Sequence, residues 1–541
     1  MRIRFCARLA TFALVLSAAL ATVAQVNVTT YHNDNARTGQ NTQETILTTS
    51  NVNTAMFGKL FSQSVDGYSY SQPLYVSNVT IPNLGTHNVV YVATMNDSIY
   101  AFDADDNTGS NAQPLWHVNF TNTSQGITTV STSVLHCPDT ITTQVGIMST
   151  PVIDTTTNTL YVLARTAENG SYFQRLHALD ITTGAEKFGG PVVIKATVSG
   201  KGTGSRNGSI SFNALLQGQR AALLLQNGLV YISWASLCDY GAYHGWIMAY
   251  NAQTLAQSAV WLVTPNGNRG GLWAAGNGPA GDSGFNTFAS IGNGTFDVNT
   301  AGVDYGQSVV KLGPPVGTTF PILDYFTPYN ATTLNGTDKD IGSSGLSLLP
   351  DQTGPFPHLL VQGDKTGNLY LINRDSMGQF NSTSNSQIVQ FIANANKGMW
   401  SSPAWWNNFV YVGGNASPIQ AFSFNTTTGL LSTTPTSKTG ANYGYPGTTV
   451  SISSNGTTNG IVWALNNATY KSTTGTANLV AYDATKLSDQ LYSSKLNSTR
   501  DSPGPAIKFS VPTVANGKVY VMTQKNLVVF GLLAGSAAGL H

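Results

Sequence analysis

The run VVYVATMNDSIYAFDADDNTG, residues 89–109, holds two apolar segments of strand length separated by a turn. The first closes on Tyr91 and Val92, the second on Phe102 and Asp103, and Thr108 and Gly109 end the phrase. Such a pattern is a β-hairpin followed by a second turn. Outward from it the same phrase recurs: TLYVLART with RLHALDITTG from Thr159, LVYISWAS with GWIMAYNAQT from Leu229, and NTFASIGNG with QSVVKL from Asn286. It returns as HLLVQGDKTGNLYLINRDSMG from His358, FVYVGGNASPIQAFSFNTTTG from Phe409, IVWALNN with NLVAYDATK from Ile461, and KVYVMTQKNLVVFGLL from Lys518. Copies start about 50 to 72 residues apart, longer than the ~40 to 50 of common propeller repeats, so several carry loop insertions.

A short third strand precedes each hairpin, most often opened by a small residue and a proline: SQPLYV at Ser71, STPVID at Ser149, FNALLQ at Phe212, SSGLSLLP at Ser343, SSPAWW at Ser401, TTVSIS at Thr448 and SVPTVA at Ser510. The stretch 274–282 is a degenerate member. A fourth strand lies between copies, as in LWHVNF at Leu115, AVWLVTP at Ala259, QIVQFIA at Gln387 and QLYSSKL at Gln490. Four short strands per unit make one antiparallel blade, and eight units make a ring. The last copy has only three strands, whereas FGKLFSQSV from Phe57 is an orphan with fourth-strand character. The expected fold is therefore an all-β, eight-bladed propeller whose ring is closed by this N-terminal strand, removing an open edge.

The expected organisation is a leader at 1–24, an arm at 25–56, one propeller at 57–533 and a tail at 534–541. Arg2, Arg4 and Arg8 precede an apolar run from Leu9 to Leu20 and small residues at Ala19, Ala21 and Ala24, the pattern of a secretion signal. That run is too short for a membrane span, and no other segment approaches ~20 apolar residues. Net charge is +1, falling to about −2 without the three leader arginines, so no basic face points to nucleic acid or anionic lipid. Charged residues are 9% of the chain against ~25% ordinarily, leaving Gly, Asn, Ser and Thr to fill the surface. A monomeric protein, secreted or periplasmic, is the expectation. Sequons such as Asn27, Asn78, Asn96, Asn207 and Asn381 arise readily in so Asn- and Thr-rich a chain.

Of three cysteines, Cys6 lies in the leader. Cys137 falls in the loop before the second blade and Cys238 inside the hairpin of the third, and both kinds of loop emerge on one face of a propeller. They either form one disulfide or remain two separate thiols.

The phrase carried by STPVID, TLYVLART and RLHALDITTG resembles the repeat of the quinoprotein-like propellers, a superfamily that includes dehydrogenases dependent on pyrroloquinoline quinone (PQQ). The resemblance spans almost the whole chain after the leader and implies an eight-bladed fold. It implies either of two functions, since some members bind PQQ and calcium and oxidise alcohols or sugars, while many are secreted propellers without cofactor. The adjacent cysteine pair common near the quinone is absent here, as is a C-x-x-C-H haem site.

If the cofactor reading held, an aspartate base, oxygen ligands for calcium and an aromatic floor would be needed. The candidates on the expected loop face are Asp66, Tyr68 and Tyr70, then Asp239, His244 and Trp246 in LCDYGAYHGW, Trp273 and Asp282 in GLWAAGNGPAGD, Asp338 and Asp340 in TDKDIGSSG, and Trp400 in KGMWSSP. Asp239, Asp282 or Asp340 would be the base. The competing reading has the aromatics plugging the central channel or packing blade on blade. DADDNTG lacks the glycine and terminal glutamate of a twelve-residue calcium loop and reads as turn chemistry. GNGPAG and IGNGTFD lack the strand-to-helix setting of a phosphate loop, and neither G-x-S-x-G nor H-E-x-x-H occurs. The polar arm TYHNDNARTGQN, residues 30–41, is read as a cover over the closing blade, with Asp34 and Arg37 solvated or paired locally.

Three functions follow. The leading one is a non-catalytic binding or recognition module using one loop face, with a small molecule, glycan or envelope protein as partner. The others are a PQQ- and calcium-dependent dehydrogenase and an envelope scaffold.

Overall fold

A computed structural model of the protein describes residues 25–137 and 143–535. The leader at 1–24 and most of the tail at 534–541 lie outside these. Eight small antiparallel sheets stand in a ring, the arrangement of an eight-bladed β-propeller. The first blade comprises Leu74–Ile81, Gly85–Ala93, Ser98–Asp103 and Trp116–Asn119, paired in that order. The last blade takes Thr513–Ala515, Lys518–Met522 and Asn526–Leu532 from the C-terminal end of the chain and its outermost strand, Phe57–Ser64, from the N-terminal part. Phe57 faces Leu532 and Ser64 faces Asn526 in that pairing, so the expected ring closure is the observed one. No helix among the described residues is long and apolar enough to cross a membrane.

The near-continuous apolar runs follow from burial on both blade faces. Val89, Tyr91, Ile99 and Ala101 pack toward the second blade with Leu160 and Val162. Their neighbours Val90, Val92, Tyr100 and Phe102 turn to the last blade and meet Tyr520, Leu527 and Val529. The recurring Tyr ties one blade to the next: Tyr91 Oη donates to Ile181 O (3.0 Å), Tyr161 to Ala252 O (2.7 Å), Tyr411 to Ala484 O (2.9 Å) and Tyr520 to Ala104 O (3.2 Å). Each acceptor follows the Asp or Asn that closes a hairpin, and that side chain caps the next turn, as when Asp180 accepts from Thr182 N (2.8 Å). The phrase thus repeats because one end of each copy bonds to the end of the next.

Insertions account for the long periods. A hairpin of Thr197–Ser199 and Ser209–Ser211 separates blades two and three, and Ala331–Gly336 forms a short helix after the fourth. The FNALLQ segment, expected as the inner strand of blade three, is loop over 212–216, and only its last residue joins a two-residue strand, Gln217–Gly218, beside Ser236 and Ala235; the inner strand is Leu224–Gln226, directly before the Asn227-Gly228 turn. Adjacency to the turn, not apolar content alone, selects the segment that pairs with Leu229, Val230 and Tyr231.

The arm departs from its expected role. Instead of covering the closing blade it runs through the channel and visits the inner strands in order. Val28 exchanges backbone bonds with Tyr75 (2.8 Å each), Ile153 N donates to Thr29 O (2.8 Å), and Asn35 Nδ2 donates to Leu225 O (2.8 Å). Gly281 N then reaches Asn35 O, Leu348 N reaches Ala36 O, and Trp405 N reaches Thr38 O, each at 2.8 Å. Gln40–Asn41 pairs parallel with Ile452 and Ser453, and Asn41 Nδ2 donates to Val514 O (3.0 Å). Inner strands of a ring present an unpaired edge to the channel, and this single circuit satisfies it.

Candidate functional site

Where an inner strand begins, the chain has just crossed from the rim into the channel, so the residues preceding the strand form tiers around the axis. The small-residue-and-proline motif supplies the tiers. In Tyr70-Ser-Gln-Pro, Met148-Ser-Thr-Pro, Trp400-Ser-Ser-Pro and Phe509-Ser-Val-Pro the first residue lines an open funnel. Arg220 holds the same place before Ala221 and Ala222. Glycines 276, 342 and 447 fill it elsewhere, and there Trp273, Ser343 and Tyr445 supply the lining. One tier lower, Ala222 and Val511 pack against Tyr31 of the arm, which closes the floor. The resulting cavity is about 320 Å³ and opens past the exposed Tyr445.

Its walls are aromatic. Trp400 meets Tyr445 edge to face (centroids 5.3 Å) and Tyr70 meets Phe509 likewise (6.0 Å). Gly398 makes room for Trp400, since a Cβ there would come within 2.9 Å of the indole. Cys137 and Cys238 are joined in a disulfide on the rim, with Cα atoms 5.3 Å apart, linking the loop before blade two to the hairpin loop of blade three.

Charge enters at three points whose partners are resolved. Arg220 lies over the Phe509 ring (4.2 Å), partly buried, with Nε shielded from solvent and without a hydrogen-bond partner. Burial pushes its pKa down, and no carboxylate stands close enough to oppose that. Asp340 is buried; desolvation, opposed by Lys365, pushes its pKa up to about 6, and its Oδ1 has no partner. Lys365 Nζ is 2.8 Å from Asp338 Oδ2 and 3.8 Å from Asp340 Oδ2. The lining holds two more charged groups: Asp239, which accepts the Tyr243 hydroxyl, and Lys508, whose Nζ lies 5.7 Å from the Phe509 ring centroid.

Of the sequence candidates, the funnel brings together Tyr70, Asp239, Trp273, Asp340 and Trp400. It does not include the other six, of which Tyr68 packs against a core cluster beside the rim and Asp338 faces Lys365. Asp66 clamps the hairpin loop of blade one by accepting from Thr94 (2.9 Å), Asn96 (2.7 Å) and Ser98 (2.5 Å). Buried His244 is held by Thr264 Oγ1 and Thr203 O, both 2.8 Å away, with its pKa lowered by burial. Trp246 is fully buried between blades two and three. Asp282 caps the turn after the inner strand of blade four, accepting from Gly284 N (3.0 Å) and Asn286 N (2.9 Å), at the other end of that strand from the funnel. Arg220, Lys365, Tyr445 and Phe509 are additions; for Arg220 and Phe509 the available signal was their place immediately before the motif's small residue.

Calcium belongs to one of the two readings the resemblance implies, and carboxylates alone do not supply a cluster for it. Among the described residues no group of three or more His, Cys, Asp or Glu could hold a metal ion. Two of the carboxylates nearest the funnel already face the Lys365 ammonium.

No protein-family model matches the chain, and no curated protein matches it. Solved structures do. A quinohemoprotein alcohol dehydrogenase from Pseudomonas putida HK5 aligns with TM-score 0.59 and 13% identity, over 95% of this chain and 81% of that one. Its counterpart from Comamonas testosteroni gives 0.58 and 14%, over 94% and 81%. A europium-containing methanol dehydrogenase gives 0.57 and 12%, over 94% of this chain and 98% of the other. The chain shares the propeller fold of these dehydrogenases. The likeness carries the eight blades and the ring; at such identities the funnel's chemistry must be read from its own residues.

Proposed function

We propose that this quinoprotein-like propeller is a non-catalytic binding module that captures a small organic molecule in the axial funnel. The observation that supports it is a cavity closed below by Tyr31, walled by aromatic residues of several blades, and lined by buried polar atoms without partners on Arg220, Tyr70 and Asp340. Buried polar atoms are normally paired, so unpaired ones converging on one cavity mark where a ligand's groups belong. The leader pattern at 1–24 and the rim disulfide support a place outside the cytoplasm.

The second reading, a dehydrogenase of alcohols or sugars, rests on Asp340, whose raised pKa and free oxygen suit a proton acceptor above about pH 6. Among the described residues no group of three or more His, Cys, Asp or Glu stands together to hold a metal ion, so calcium in this reading would rest on amide and carbonyl oxygens as well.

Titration of the mature protein with PQQ and with a panel of mono- and oligosaccharides, with and without calcium, tests the choice. Saturable binding that Trp400→Ala weakens, without dye reduction in the presence of alcohols or sugars, is the expected result. Substrate-dependent dye reduction would overturn the non-catalytic reading, and binding indifferent to Trp400→Ala would move the site elsewhere.

A further inference from the structure

We infer that the outer rim between blades two and three carries a second binding site, separate from the funnel, for a polysaccharide bearing repeated anionic groups. The first ground is where charge falls. The chain holds 26 Lys and Arg against 25 Asp and Glu, yet from Lys187 to Cys238 it has Lys187, Lys195, Lys201, Arg206 and Arg220 and no carboxylate. A net charge near zero hides this stretch, which contains the inserted hairpin of Thr197–Ser199 and Ser209–Ser211. Cations beside it are paired, Lys187 with Asp180 (4.0 Å) and Arg175 with Glu168, whereas Lys195, Lys201 and Arg206 are exposed and enter no ion pair among the described residues.

The second ground is a groove beside that hairpin. Its volume is about 800 Å³, it has Lys195 and Arg206 in its lining, and it shares no residue with the funnel lining. The remaining polar side chains of the lining include Thr203, Ser205, Ser209, Ser211 and Asn213, all neutral, and Tyr172, Phe173 and Phe212 add partly exposed aromatic rings. Hydroxyls and amides match sugar hydroxyls, aromatic rings match the apolar face of a pyranose, and the cations match charges spaced along a chain. The groove is preformed. Gly202 N donates to Pro265 O (2.9 Å) and Thr203 N to Gly267 O (2.8 Å), tying the hairpin to the loop after the outer strand of blade three, and the buried His244 ring holds Thr203 O at 2.8 Å. His244, which stands apart from the funnel, thereby fixes a wall of this groove. Three free cations fall short of the roughly 6 to 10 phosphate contacts of a duplex-binding protein, so nucleic acid is a poor match.

The test titrates the full mature protein with polygalacturonate, heparin, neutral dextran and poly-L-glutamate, at low salt and again at 0.3 M. At least one acidic polysaccharide should bind about tenfold or more tightly than dextran, and salt should weaken it. Polygalacturonate identifies carboxylate as the group recognised, heparin sulfate. Lys195→Gln with Arg206→Gln should weaken that ligand about tenfold, while Lys486→Gln with Lys495→Gln, the same loss of charge at a distant blade, should leave it within about twofold. Equal losses in the two double variants, poly-L-glutamate bound as tightly as the polysaccharide, or no binding of either acidic polysaccharide at millimolar repeat concentration would each overturn the inference. Lys195 and Arg206 are exposed, so folding of the variant is expected, and the ratio to dextran and poly-L-glutamate in the unaltered protein decides without it. Because the two linings share no residue, none of these failures touches the reading of the funnel.

Discussion

Two arginines lie near Tyr31 of the arm, Arg37 in the channel beside it and Arg220 in the funnel lining, and they are treated in opposite ways. Arg37 in the arm is fully buried and fully paired: Nε donates to Pro279 O (3.0 Å), Nη1 to Thr30 Oγ1 (2.7 Å) and Tyr31 O (2.9 Å), and Nη2 to Leu223 O (3.1 Å). Arg220 in the funnel has a buried Nε that finds no acceptor among the described residues. One channel therefore holds a satisfied guanidinium in its arm and, in its funnel, one whose buried Nε is unsatisfied. A buried charge kept without a partner does not serve stability, so the contrast separates the structural arm from the binding funnel.

The largest effect expected of any substitution breaks the contrast directly. Arg37→Ala would strand four acceptors and remove the link between the arm and blades three and four, costing about 4 kcal/mol in urea unfolding. Arg220→Ala should cost no more than ~1 kcal/mol and could even stabilise, because it removes an uncompensated charge rather than a network. Equal costs for the two variants would show that Arg220 is structural and would erase the distinction.

A somewhat smaller effect sharpens the arm's side of it. Gly39 has φ +72°, and a Cβ there would overlap the buried His32 ring, whose nitrogens lie 2.7 Å from Arg37 O and 2.9 Å from Val450 O. Gly39→Ala combines left-handed backbone strain of ~1 to 2 kcal/mol with a clash in a packed channel. A loss of about 3 kcal/mol in the same unfolding assay is expected, with ligand binding in the funnel retained by the folded fraction.

The fold was legible because burial on both faces of every blade forces the same apolar phrase eight times, and because an orphan strand such as Phe57–Ser64 has only one open edge to join. The inner strand of blade three was misplaced since FNALLQ and AALLLQ are both mostly apolar and end on the same Leu-Leu-Gln, and it is the turn after the second that marks the strand. Half of the site was legible in the same way: Tyr70 and Trp400 stand out as aromatics before a motif, whereas Arg220 occupies the equivalent place in a copy whose motif had lost its serine and proline. Asp66, Asp282 and His244 misled because carboxylates and imidazoles that serve turns and loops have the same letters as those that serve ligands; only their occupied hydrogen-bond partners tell them apart. The arm was unreadable as a channel lining because its partners are eight backbone edges, which leave no side-chain pattern.

The smallest of these effects probes the funnel through pH. Asp340 titrates near 6 in the folded protein against an ordinary value of 3.8, so the folded state holds this proton more tightly than the unfolded one. Its contribution to stability is present below about pH 4 and is lost as pH rises toward 6, after which the unaltered protein carries the full cost of a buried carboxylate. Asp340→Asn, neutral throughout, should therefore be about 2 kcal/mol more stable than the parent at pH 7 and no different below pH 4. A variant less stable than the parent at pH 7 would mean that Lys365 more than repays the desolvation of Asp340, and the funnel would then hold a settled ion pair beside Arg220 rather than a second unsatisfied group.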